Sequence, residues 1–349
     1  MSTDLYVGTV GMSVWFSKDE GETWARPYSE SGLYLECRVW SLATSPVAAD
    51  QIYAGTDFGI QRWDPVASLW RYLPSPMDGL GIWSLEVSPH DPLVMIAGTH
   101  PAGIFRSEDG GATWRECKVE FIDNCMFVGK PRITQILFDP KDRDMVWASV
   151  EVDGVRRSAD GGRTWERLSP NGLVSDDIHG LGIEYEGGKR KLFASTNKGV
   201  HHSWDCGDSW QLNPLNSQWQ YTRVIVPRAD HNGTMFLTNG DGPPGSTGKL
   251  QRSRDYGLTW EDAKLPGELN STPWVISTHA SNPDLIFVGT NLGQLFRSRD
   301  GGETWTRLKR EFGELRAILW RPATGGTFSD TFKKTLGLHE QKVFADRPA

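Results

Sequence analysis

Short runs of alternating apolar and polar residues, each bounded by Gly, Pro, Asn or Asp, recur along the chain at an even rhythm, as expected of short β-strands joined by turns. The rhythm reads most fully between residues 40 and 73. Trp40-Ser41-Leu42-Ala43-Thr44 predicts an inner strand, Gln51 to Thr56 a second, Gly59-Ile60-Gln61-Arg62 a third and Trp70-Arg71-Tyr72-Leu73 an outer fourth. Equivalent second strands are expected at Leu5–Thr9, Val94–Thr99 and Leu285–Thr290.

Ahead of each outer strand stands a variant of Ser-x-Asp-x-Gly-x-Thr-Trp. Copies run Ser17–Trp24, Ser107–Trp114, Ser158–Trp165, Ser203–Trp210, Ser253–Trp260 and Ser298–Trp305, with a decayed seventh from Gly59 to Trp70. The spacing of roughly 45 residues marks a propeller or array of supersecondary units rather than a two-layer domain. Each copy reads as a hairpin loop. The Asp accepts hydrogen bonds from its own turn, a Gly such as Gly21 supplies the positive φ, and the Trp fills the gap between neighbouring sheets.

The chain starts on a second strand and has one inner strand to spare after the last copy, Leu315 to Trp320. Joining the two predicts an all-β, seven-bladed β-propeller of four-stranded antiparallel blades over residues 1–322, closed by a C-terminal strand that completes the first blade. Closure removes long exposed sheet edges. Residues 323–349 are left as a tail of unassigned structure.

With these motifs the chain resembles the Asp-box, or BNR-repeat, β-propeller superfamily over almost its whole length. The resemblance implies that the boxes lie on the face away from any ligand, so that their acids are structural. Three families frame the function. Sialidases grip a carboxylate with an arginine triad and pair a Tyr nucleophile with a Glu, which Tyr221 and Glu314 would match, but they have six blades and an Arg-Ile-Pro segment that Pro131-Arg132-Ile133-Thr134 does not replace. Xyloglucanases are similar in blade number but place substrate between two propellers. The photosystem II assembly factor is similar in size and works as a binding scaffold in a lumen.

Composition narrows the field further. A net charge of −7 argues against a general binder of nucleic acid or anionic membrane. No apolar run approaches the ~20 residues of a membrane helix. The N-terminus enters a strand directly, without a secretory leader, and this points to the cytoplasm. Cys37, Cys117, Cys125 and Cys206 lack metal-ligand spacing and are expected to stay reduced. His201 and His202 are adjacent on one strand and point to opposite faces. No metal site and no cofactor are expected.

Alignment of the blades on their second strands gives the residues facing the channel mouth. One register holds Arg38, Gly81, Arg132, Asp177, Tyr221, Thr272 and Glu314; the register two residues on holds Trp40, Trp83, Thr134, His179, Arg223, Trp274 and Arg316. Loops between second and third strands add Asp57, His100, Glu151, Asp153, Asn197, Asp241 and Asn291, and insertions at 117–130 and 239–246 reach the same face.

Arg38, Arg132, Arg223 and Arg316 thus converge from four blades, and guanidinium forks suit carboxylate or phosphate. The alternative is that they pair with Asp177, Glu314 and neighbouring acids and fill the channel. Trp83, Trp274 and Tyr221 are candidate contacts for a ring or sugar, with inter-blade packing as the competing role for the tryptophans. Glu36, Asp57, Glu151, Asp177 and His179 are candidate proton carriers. The leading expectation is a cytoplasmic enzyme performing acid–base hydrolysis or elimination on a small anionic or sugar-like substrate. The alternatives are a non-catalytic scaffold, docking a protein through Phe121, Met126 and Phe127, and a glycan-binding propeller without turnover.

Overall fold

The computed structural model describes residues 3–25, 29–45, 50–65, 67, 69–126 and 128–323. The 324–349 segment and Phe127 therefore lie outside the described residues. Seven antiparallel sheets follow one another along the chain. Blade two is Val39–Thr44, Ile52–Thr56, Gly59–Asp64 and Leu69–Leu73, close to the strands expected from the apolar alternation. Blades three to seven repeat this order. Their inner strands are Gly81–Val87, Ile133–Phe138, Ile178–Glu186, Tyr221–Pro227 and Pro273–Ser277.

Blade one is assembled from both ends of the chain. Leu315–Pro322 pairs antiparallel with Thr3–Thr9, which pairs in turn with Val14–Ser17. The fourth position of this blade is a single bridge, Phe16 to Ala25. The ring is closed as the sequence predicts.

The core is divided into seven layers, one between each pair of sheets. Alternation along a second strand sends neighbours to opposite layers. Ile96 packs with Ile133 and Val146 of blade four, whereas Met95 and Ala97 pack with Tyr53 and Ile60 of blade two. Leu5, Val7, Trp15 and Trp320 meet Leu285, Phe287 and Leu295 to seal blade one against blade seven. Each box tryptophan enters a different layer: Trp24, Trp114, Trp165, Trp210, Trp260 and Trp305, with Trp70 doing so in the decayed copy.

The boxes are closed hydrogen-bonded loops. In the first, the Ser17 hydroxyl donates to Asp19 at 2.8 Å and accepts from the Gly21 N–H at 2.8 Å, while Thr23 gives Asp19 both its N–H and its hydroxyl. Ser209 stands where the other copies have Thr and makes the same pair of bonds to Asp205.

Burial alone would raise the carboxyls of Asp19, Asp160, Asp205, Asp255 and Asp300, but these bonds outweigh it and hold them low, Asp160 at about 2. In Asp109 the bonds from Thr113 dominate outright. A carboxyl depressed in the folded state contributes stability above its unfolded pKa, and that contribution is lost as pH falls through the folded value. The urea midpoint, followed by tryptophan fluorescence, is therefore expected to fall between about pH 4 and about pH 2. Replacing Asp160 and Asp300 with Asn should flatten that decline; an unchanged slope would show that the boxes do not carry it.

One irregularity recurs in every blade. Each inner strand holds one residue more than its partner at the same level, so the ladder skips near Trp40, Trp83, Thr134, His179, Arg223, Trp274 and Arg316. A bulge of this kind releases a side chain from the alternation and re-aims it. All seven of these residues line the upper channel.

Candidate functional site at the channel mouth

Above the channel lies a cavity of about 370 Å³ over blades four to seven and the closing strand. Arg132, Glu151, Asp177, His179, Tyr221, Arg223, Trp274, Asn291, Glu314 and Arg316 line it, so the structure brings together ten of the residues read from the sequence. Both insertions contribute to its rim. Pro243 and Pro244 come from the 239–246 loop, which is tied down by the Thr272 N–H donating to Pro244, and Val128 comes from the 117–130 loop.

Charges at the mouth are mostly paired. Arg132 is bonded through Nε to Glu151 and lies 4.2 Å over the Trp83 ring. Arg316 pairs with Glu314 and sits 5.0 Å from the Trp274 ring and 5.2 Å from Trp83. Burial, opposed by Glu314, pushes the Arg316 guanidinium down to about 10. Trp83 stacks on Trp40 with ring centres 4.6 Å apart. The tryptophans therefore have their faces covered by guanidinium or by each other, and Trp274 is only 8% exposed. They line the wall of the upper channel beneath this cavity.

Arg223 is the exception. It is 7% exposed, stacks 4.0 Å over Trp274 and has only a 3.5 Å contact from Nη1 to the Tyr221 hydroxyl. Beside it, His179 has Nδ1 2.6 Å from the Thr222 carbonyl oxygen and Nε2 3.2 Å from Asp177 Oδ2. Burial opposes ionisation of Asp177, yet the His179 ring and the Arg223 guanidinium hold its carboxyl below the ordinary range. Burial raises the Tyr221 phenol.

Ligand atoms of Glu151, Asp177 and His179 lie within 4.8 Å of one another, a spacing that suits a metal ion. The chemistry of the surroundings does not. Arg132 already holds Glu151, Arg223 faces the same space, and a dication there would meet two guanidiniums.

The remaining nominated residues lie elsewhere. Arg38, Glu36 and Asp57 do not line the cavity. Asp57 accepts the Arg38 N–H at 3.0 Å, and Glu36 accepts the Tyr34 hydroxyl at 2.9 Å. This is the region of blade two where aromatic surface is open. Among the described residues the exposed aromatic side chains are Tyr34, Phe58, Tyr72 and Trp204, and the first three belong to this region. Tyr34 and Phe58 meet edge to face at 5.8 Å, and Tyr72 flanks Gly59 and bonds to Asp78.

None of these three aromatics was singled out from sequence. Phe58 carried a signal, being an apolar residue at the tip of a tight turn directly after Asp57. In the 117–130 loop, Phe121 is packed on the blade-four core under Arg156, whereas Met126 is 88% exposed.

Seven sheets closed into a ring and hydrogen-bonded Asp-box loops define a β-propeller built on Asp-box hairpins. A family model for the BNR/Asp-box repeat matches residues 296–307, in blade seven. Over 74% of its length the chain is 28% identical to a xyloglucanase of a Paenibacillus species, of which it covers 30%. It is 26% identical to the photosystem II assembly protein Ycf48 of a Synechococcus strain over 52% of this chain and 50% of that one. The chain thus spans about a third of the xyloglucanases it matches. Among solved structures, the GH74 enzyme of Niastella koreensis superposes with a TM-score of 0.63 at 20% identity, over 77% of this chain and 45% of that one. Ycf48 bound to a D1 peptide superposes with a TM-score of 0.54 at 14% identity, over 82% and 93%. These two likenesses speak for the fold alone.

Proposed function

We propose that the protein recognises and hydrolyses a saccharide, held on the open aromatic surface of blade two. The observation that carries this reading is the edge-to-face pair of Tyr34 and Phe58 left exposed beside the carboxylates Asp57 and Glu36. A sugar presents an apolar ring face and a rim of hydroxyls. Open aromatic faces cover the first, and carboxylates accept from the second. Exposed apolar surface gathered at one place on a soluble protein marks a contact site. The xyloglucanase relatives add weight to the sugar and to hydrolysis. Trp83 and Trp274 serve this role poorly, because their faces are covered.

The test is affinity electrophoresis in gels cast with xyloglucan, backed by titration with its oligosaccharides. Truncating a central aromatic costs on the order of 1–2 kcal/mol, so Tyr34→Ala with Phe58→Ala should weaken binding about tenfold or more. Release of reducing ends should fall with Asp57→Asn. Mobility unaffected by xyloglucan in the parent protein, or equal in both, would overturn the reading.

A second reading places acid–base chemistry on a small anionic or sugar-like substrate at the channel mouth. It is favoured by the Asp177–His179 pair with Glu151 alongside. A carboxyl pushed up by burial, to about 8, belongs to Glu86 deeper in the channel. At the mouth, where Asp177 is held low, His179 is the group suited to give a proton, which favours elimination over a two-carboxyl hydrolysis. The free thiols of all four cysteines support a reducing compartment, and we propose the cytoplasm.

A further inference from the structure

We propose that the cavity at the channel mouth is a binding site for a single carboxylate, seated on Arg223. The inference rests on reading that cavity as a ligand site and is independent of the saccharide surface and of any turnover.

Three observations support it. First, Arg223 is more than nine-tenths buried and has no carboxylate within ion-pair distance, while Arg132 and Arg316, which line the same cavity, each have one. A buried charge without a partner is costly, and proteins keep one where a ligand supplies the partner. Second, the carboxylates facing the cavity are already engaged elsewhere. Glu151 holds Arg132, Glu314 holds Arg316, and Asp177 Oδ2 lies 3.2 Å from His179 Nε2, so the lining offers Arg223 no anion of its own.

Third, the guanidinium is set for a planar anion. Its face is fixed on Trp274, which leaves its edge for a two-pronged contact, and the Tyr221 hydroxyl stands beside it as a further donor. The rest of the cavity would receive the ligand body. Its volume of about 370 Å³ is at the lower end for small-molecule sites, and Val128, Pro243, Pro244 and Leu292 give it apolar lining. A phosphate would bring a second negative charge next to Glu151, Asp177 and Glu314, so the monoanion is the better match.

Calorimetric titration of the full chain would use matched pairs that differ in the carboxylate: glucuronic acid against glucose, and N-acetylalanine against its amide. The first pair asks whether a sugar acid is the source, the second whether an amino-acid end is. The expected result is that at least one acid binds and its neutral counterpart does not. Arg223→Gln should weaken that acid roughly 10- to 100-fold, and Arg223→Lys, which keeps the charge without the fork, by less. Arg299→Gln, on the box face, should bind as the parent does. Failure of both acids, equal binding of a neutral partner, or full affinity in a folded Arg223→Gln protein would each overturn the proposal. Loss of xyloglucan binding on changing Tyr34 and Phe58 is a separate outcome and leaves this one standing.

Discussion

Replacing Asp4 with Ala is expected to destabilise the ring by about 3–5 kcal/mol, the usual cost of removing one member of a buried ion pair. Asp4 is 2% exposed and Arg321 fully buried, with Nη2 3.4 Å from Asp4 Oδ2. The two residues face each other across the strand pair that joins the chain ends. Burial raises the Asp4 carboxyl against the pull of Arg321, so the pair is held in place at an electrostatic cost. Ala removes the Asp4 carboxylate from beside a fully buried guanidinium, at the point where the first blade depends on the last strand. Urea denaturation followed by tryptophan fluorescence measures the effect. The double change Asp4→Leu with Arg321→Met should recover most of the loss, since a buried pair is often replaceable by apolar residues of similar volume. A single variant within about 1 kcal/mol of the parent would mean that backbone pairing alone closes the ring.

Gly172→Ala is expected to cost about 3 kcal/mol or more. The residue sits at φ +85°, and a Cβ there would lie 1.9 Å from the Trp210 carbonyl oxygen. The left-handed backbone charges an L-residue roughly 1–2 kcal/mol, and a clash with backbone adds on the order of 1–3 kcal/mol because no rotamer relieves it. The contact matters because the loop between blades four and five lies directly on the outer strand of blade five, with the Trp210 N–H donating to Asn171. Gly79→Ala, also at positive φ but with no atom within 4 Å, isolates the backbone term. If the two variants melt alike, the close approach contributes nothing.

The architecture was legible because each blade repeats a short-range signal. Box, turn glycine and alternating strand occur together, and the surplus strand Leu315–Pro322 finds its place by elimination. The mouth was legible in outline for the same reason: Trp40, Trp83, Thr134, His179, Arg223, Trp274 and Arg316 occupy one position in seven blades. What the alignment cannot convey is how side chains from different blades choose partners. That Arg132 and Arg316 find carboxylates and Arg223 does not is set by distances around the ring, across sequence separations that carry no pattern. The exposure of Tyr34 and Phe58 has the same origin. Their neighbours Leu33 and Ile60 are buried, and apolar character alone does not separate them.

The extra residue in each inner strand has a consequence for how such a protein changes over time. That residue has no opposite number in the ladder, and four of the seven, Trp40, Trp83, Thr134 and Arg316, keep part of their surface open to the channel. Tryptophan, threonine, histidine and arginine all occupy the position within this one chain. Rewriting the ring of side chains therefore disturbs little of the scaffold beneath it, and a lineage could try new ligands one sector at a time while the wheel that carries them stays assembled.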